Sequence, residues 1–110
     1  MSWRGSWRES LEARRLLQVK HLSREELESL ALWLAERIED SLESVLGGSA
    51  EVIDVKVEIG DEWPYTVNVE VYVKTRYPKR GLGRILDEVL EQAFREFAGK
   101  AEEKGMQAIG

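Results

Sequence analysis

Apolar and polar positions alternate most regularly between Glu51 and Thr75. Ile53, Val55, Val57 and Ile59 are interleaved with Asp54, Lys56 and Glu58. Val67, Val69, Val71 and Val73 are interleaved with Thr66, Asn68, Glu70, Tyr72 and Lys74. Period-two alternation of β-branched residues predicts two half-buried strands. The segment Gly60-Asp61-Glu62 supplies a turn between them, and Trp63-Pro64 opens the second strand, where proline is tolerated at an edge. All eight apolar positions are odd-numbered, so an antiparallel pairing of odd with odd gathers them on one face. A one-residue slip would expose one strand's set. Burying a Val or Ile side chain is worth roughly 1.5–3 kcal/mol, so that face requires a cover.

Two segments of helical period can provide it. Ser23 and Glu26 form a capping box, and Leu22 and Leu27 form a hydrophobic staple. Leu27, Leu30, Ala31, Leu34, Ile38, Leu42 and Val45 then recur at steps of three and four, until Gly47-Gly48 stops the helix. Leu32 and Trp33 lie off this stripe, which marks either a wide core face or a surface for a partner. The second helix starts near Leu82 or Gly83. Its stripe is Leu82, Ile85, Leu86, Val89, Ala93, Phe97 and Ala101, and Glu91–Arg95 and Glu96–Lys100 make i,i+4 pairs on its wet side. Gly105 is expected to end it, with 106–110 as a tail.

Upstream, the pattern weakens. Residues 1–14 read as an irregular or partly helical basic Trp/Arg-rich arm, with Ser6 and Glu9 as a capping box near Trp7 and Trp3, Arg4, Trp7 and Arg8 as candidate contacts, or as a frayed terminus. Residues 15–20 read as a short strand. The predicted fold is therefore α+β, a two-layer sandwich with two amphipathic helices on one face of a two- or three-stranded antiparallel sheet, in the order (β)-α-β-β-α. Residues 15–105 form its single domain.

Composition narrows the function classes. The chain has 110 residues, a formal charge of −5 and no cysteine, which removes disulfides and thiolate metal sites. No apolar run approaches the roughly 20 residues of a membrane span, and the N-terminal stretch lacks the apolar core of a signal peptide. The expected location is cytoplasmic, with no membrane contact. One Asn and three Gln beside abundant Glu and Arg is a thermophile-like bias. A single histidine, His21, leaves no Ser-His-Asp arrangement and no histidine metal cluster, so no catalytic residue, metal or cofactor is expected.

Charge is unevenly placed. Arg4, Arg8, Arg14, Arg15 and Lys20 face only Glu9 and Glu12 among residues 1–21. Between 74 and 84, Lys74, Arg76, Lys79, Arg80 and Arg84 occur with no acid among them, interleaved with Tyr77 and preceded by Tyr72. This stretch feeds a helix N-terminus, where free N–H groups favour anions and Gly81 and Gly83 permit close approach. Its cations suit phosphates and its tyrosines suit base stacking. A solvated loop balancing an acidic body is the alternative. The string YPKRGLGRIL also resembles the acyl-CoA loop of the acetyltransferase superfamily. That resemblance implies Gly81 and Gly83 at a pyrophosphate with Leu86 behind, although Pro78 stands where the motif has its leading Arg or Gln.

Two further resemblances cover more of the chain. From Leu22 to about Glu103, the segments LSREEL, EVIDVKV, VNVEVYV and LDEVLEQAF resemble a small uncharacterised archaeal family of helix–strand–strand–helix proteins, which supplies no catalytic residues. With a strand before the first helix and a basic glycine-containing lead into the last, the order is similar to that of the small dimerising subunit of the KEOPS complex. That resemblance implies a non-catalytic subunit that dimerises, docks a kinase-like partner and assists tRNA threonylcarbamoylation. The leading expectation is thus a non-enzymatic interaction and dimerisation module, homo- or heterodimeric, in an RNA-linked assembly. The alternative is direct binding of tRNA or another nucleic acid through the arm and the 74–84 loop.

Overall fold

The computed structural model describes residues 7–17, 22–62, 64–77 and 80–109, with side chains for all of these except Trp7 and 104–109. The elements are β1 (Trp7–Leu17), α1 (Arg24–Leu46), a 3-10 turn (Gly47–Ser49), β2 (Ala50–Ile59), β3 (Tyr65–Thr75) and α2 (Leu82–Ile109). The three strands form one antiparallel sheet in the order β1-β3-β2, and both helices pack on one face of it. The fold is the expected two-layer α+β arrangement, β-α-β-β-α.

The central strand is β3. Its partners follow the predicted odd-to-odd register: Ile53 faces Val73, Val55 faces Val71, Val57 faces Val69 and Ile59 faces Val67. The four valines of β3 are 0–2% exposed. Their counterparts on β2 are only half-buried, because β2 is an edge strand with α1 above one side of it. Between Ala50 and Val52 a bulge shifts the register, with Ala50 opposite Thr75 and Val52 opposite Lys74.

β1 corrects the reading of the N-terminal region. Residues 7–14 are neither an arm apart from the domain nor the start of a helix; they are the greater part of an eleven-residue strand, because their backbone groups pair with β3 along its whole length. The alternation is present but disguised. Glu9, Leu11, Ala13, Arg15 and Leu17 stand opposite the odd residues of β3, so two of the five positions on the helix side are charged. Arg15 fits because its guanidinium lies 4.8 Å from the centre of the Phe94 ring, a cation–π contact that lets a long side chain roof an aromatic. Trp3, Arg4, His21 and the end of the predicted 15–20 strand lie outside the described residues.

The helix α1 begins as its sequence dictates. Glu26 N–H donates to Ser23 Oγ at 3.1 Å, and Ser23 N–H donates to Glu26 Oε1 at 2.8 Å. Leu22 is buried before the cap, and its N–H donates to the Tyr65 hydroxyl at 2.7 Å, tying the helix start to the head of β3. Gly47 closes the helix at φ 54°. The last buried residue is Leu46, while Val45 is 51% exposed, because the stripe's drift over six turns carries position 45 off the core.

In α2 the buried face is wider than predicted. Leu90 and Phe94 join Leu82, Leu86, Val89, Ala93, Phe97 and Ala101, while Ile85 is only partly buried. A helix packed against both β1 and α1 needs apolar residues on two flanks. Gly105 does not end the helix, which continues to Ile109. The predicted Glu96–Lys100 pair is replaced by contacts to α1. Arg37 Nε donates to Glu96 at 2.6 Å and Arg37 Nη2 at 3.1 Å, while Lys100 lies over the Trp33 ring at 5.7 Å. Trp33 itself stacks on Phe97 with centroids 6.4 Å apart.

Two outcomes follow from these contacts. Ser23→Ala should lose about 1 kcal/mol of unfolding free energy in urea and Ser23→Gly only a few tenths, because glycine tolerates the cap conformation. The hydrogen bond from Arg37, and then that from Gln92, hold the Glu96 carboxyl down to about 2 from its ordinary 4.5. A folded-state value below the unfolded one stabilises above about pH 4.5, and that contribution is lost as pH falls toward 2. The stability gap between wild type and Glu96→Gln should therefore be widest near neutrality and close across this window in an acid titration.

Candidate functional site

Chain topology brings the basic residues to one end of the sheet. Arg8, the second residue of β1, lies opposite Lys74 near the end of β3. Arg76 follows β3, Arg80 sits in the turn that follows, and Arg84 lies in the first turn of α2. Arg8, Arg76, Arg80 and Arg84 are exposed, and Tyr77 is 66% exposed. Arg8 reaches this end of the sheet from a strand rather than from a free arm. Lys79 lies outside the described residues.

Hydrogen bonds hold the described residues on either side of this connection. Arg76 N–H donates to the Ser49 carbonyl at 2.8 Å, the buried Thr75 hydroxyl donates to the Tyr77 carbonyl at 2.6 Å, and Ile85 N–H donates to the Gly81 carbonyl at 2.9 Å. Gly81 adopts φ 71°, a conformation costly for other residues, immediately before α2. Here the glycine is required by the turn.

Tertiary structure also introduces acids that the local sequence does not contain. Lys74 Nζ pairs with Glu51 at 3.4 Å across the β2 bulge. The Glu9 side chain reaches the first turn of α2: a Cβ on Gly83 would stand 3.5 Å from its Cδ and 3.6 and 3.7 Å from its two oxygens. A carboxylate at a helix N-terminus is electrostatically favourable and stands where an incoming anion would approach Gly83. Glu9 was legible only once β1 was extended back to Trp7 and paired with β3.

The second candidate surface divides. Trp33 belongs to the packing between α1 and α2, as the wide-core reading has it, and Leu32 is 61% exposed. Among the described residues no group of three or more His, Asp or Glu side chains could hold a metal ion. Shallow grooves include one across the open face, between Glu12, Arg14, Asn68, Glu70 and Glu58, and two along the sheet margins. One runs between β1 and α2, lined by Arg15, Leu17, Phe94 and Arg95. Another runs between β2 and α1, lined by Leu27, Ala31, Val57 and Ile59.

What these features define is a small α+β domain with one face of its sheet roofed, the other face polar, and both edge strands flanked by grooves. No family model and no curated protein matches the chain. A solved protein from Thermococcus onnurineus NA1 superposes with a TM-score of 0.70 at 24% identity, covering 86% of this chain and 94% of that one. This likeness, to a protein from a thermophilic archaeon, establishes the shared fold.

The two glycines are separable by mutation. Gly81→Ala should lower stability by about 1 kcal/mol, because its φ is positive. Gly83→Ala meets only ordinary contacts and should leave the melting temperature unchanged or slightly raised through helix propensity. A large loss of stability in Gly83→Ala, measured by thermal denaturation, would contradict this geometry.

Proposed function

We propose that this protein is a non-catalytic interaction module, a cytoplasmic accessory subunit that works by pairing with another protein in an RNA-linked assembly of the KEOPS type. The observation that carries the reading is the three-stranded sheet, whose two outer strands have no further strand beside them among the described residues. On β2 four aliphatic residues of the helix side are left half-buried. Open edges carry unpaired backbone groups and attract another strand, and half-covered aliphatic rows favour association over exposure. Leu32 and Val45 on α1 add exposed apolar area on the same layer. No helix among the described residues is long and apolar enough to cross a membrane, in keeping with a partner in solution.

A second reading has its own support. Arg8, Arg76, Arg80 and Arg84 gather at one end of the domain beside Tyr77, and such a patch suits the phosphates of tRNA or another nucleic acid. Glu9 and Glu51, which reduce its net charge, favour the protein-interaction reading. An acyl-CoA site is weaker still, because Glu9 stands at the glycine that would receive the pyrophosphate.

Affinity capture from an extract of the source organism, with and without nuclease, separates the two. The interaction reading predicts a stoichiometric protein partner retained after nuclease treatment. Loss of all captured material on nuclease treatment would move the assignment to nucleic acid. In that case Arg76→Glu with Arg80→Glu should weaken RNA retention and flatten its salt dependence.

A further inference from the structure

Resting on the interaction reading above, we infer that the groove between β1 and α2 captures the free C-terminal end of a partner polypeptide whose last residue is large and apolar. The groove has an apolar floor and cationic walls. Leu17, Val67, Phe94 and Phe97 form the floor, with Arg15 on the β1 side and Arg95 on the α2 side. Its volume of about 290 Å³ stands at the lower end for a ligand site, which suits one or two residues and is too small for a helix.

Charge selects a chain end that carries a carboxylate. Arg15 Nη1 donates to the Arg14 carbonyl at 3.1 Å, and its guanidinium lies 4.8 Å from the centre of the Phe94 ring, so it is held at the groove without an anion. Arg95 is exposed, and the sequence pairs it with Glu91 one turn earlier. Among the described residues, however, none of Arg15, Glu91 and Arg95 forms an ion pair. Two guanidiniums and the carboxylate of Glu91 leave the rim with one excess positive charge, which matches a monoanion better than a phosphate dianion. A guanidinium also binds a carboxylate through two parallel N–H donors. The groove at the other margin, between β2 and α1, is bordered by Glu28, Glu58 and Asp61 against Arg24, so it repels the same chain end.

A polypeptide fits better than a free fatty acid, because the strand adds backbone groups to the site. Gly60 N–H donates to the Thr66 carbonyl at 2.9 Å, so even-numbered residues of β3 bond to β2 and odd-numbered ones to β1. Arg15–Val67 and Leu17–Tyr65 are thus bonded pairs. The N–H and C=O of Leu16 point out of the sheet beside the groove, where a single peptide unit can bond to them. A last residue held there sets its side chain on the floor and its carboxylate between the two guanidiniums.

Fluorescence polarisation with labelled glycine–serine peptides ending in leucine tests the site. The free acid should bind with a dissociation constant on the order of 10–100 µM, and the C-terminal amide at least about tenfold more weakly, because a charge-assisted bond is lost. Arg15→Gln and Arg95→Gln should each weaken the free acid by about tenfold and leave the amide unchanged, a coupling that a merely structural effect would not produce. Ala98→Trp, at an exposed position on the rim, should fill the groove and abolish binding without lowering the melting temperature. Octanoate has a carboxylate and an apolar body but no peptide group, and should compete at least about threefold more weakly than the peptide acid. No saturable binding of the free acid up to about 1 mM overturns the inference. So does equal binding of acid and amide, indifference to the arginine variants or to Ala98→Trp, or octanoate binding as tightly as the peptide. Any of these leaves the interaction reading to be judged by the capture experiment.

Discussion

The structure depends on the burial of one strand. β3 lies between two antiparallel neighbours and beneath two helices, and its four valines with Tyr65 are almost wholly removed from water. Each such side chain contributes roughly 1.5–3 kcal/mol on leaving solvent, and each backbone group of β3 finds a strand partner on one side or the other. The flanking elements are held by what they bring to β3. Tyr65 ties its hydroxyl to Leu22 at the start of α1, and Thr75 at the other end anchors the turn that leads to α2. A central strand secured at both ends leaves the margins of the sheet as the places where the fold is incomplete.

Those margins differ in chemistry. β1 carries charge on both faces, and one of its charges, Arg15, serves as a lid over Phe94. β2 alternates an aliphatic row with Asp54, Lys56 and Glu58, so it offers a greasy rim with a charge code beside it. The helices share one apolar cluster, and Arg37 with Glu96 and Trp33 with Phe97 add contacts between them at its surface. The distribution of charge thus makes the two edges of the sheet chemically unlike.

The basic end shows why a linear motif and a spatial site are different objects. Read along the chain, residues 74–84 contain cations, tyrosines and glycines without a single acid. Folded, the same stretch receives Glu51 from β2 and Glu9 from β1, and the carboxylate of Glu9 lies against the first turn of α2. Gly81 proves to be a turn residue with positive φ, and Gly83 an ordinary helical residue beside a carboxylate. The phosphate-binding reading weakens for electrostatic reasons that no local pattern contains.

The sequence by itself determined the elements whose signals are local. The capping box of Ser23 and Glu26, the stop at Gly47 and the odd-to-odd register of β2 on β3 all follow from propensity and period. What only the tertiary structure decided depends on contacts between distant segments. It extended β1 back to Trp7 although Glu9 and Arg15 break the alternation, because pairing with β3 outweighs a poor pattern. It buried Leu46, Leu90 and Phe94 and exposed Val45, because the width and drift of a helix face depend on how many neighbours it meets. It drew Glu96 away from Lys100 to Arg37, since a bidentate guanidinium on a neighbouring helix is a better partner than an i,i+4 ammonium. The location of the open edge followed from strand order, which the alternation of residues within each strand does not encode.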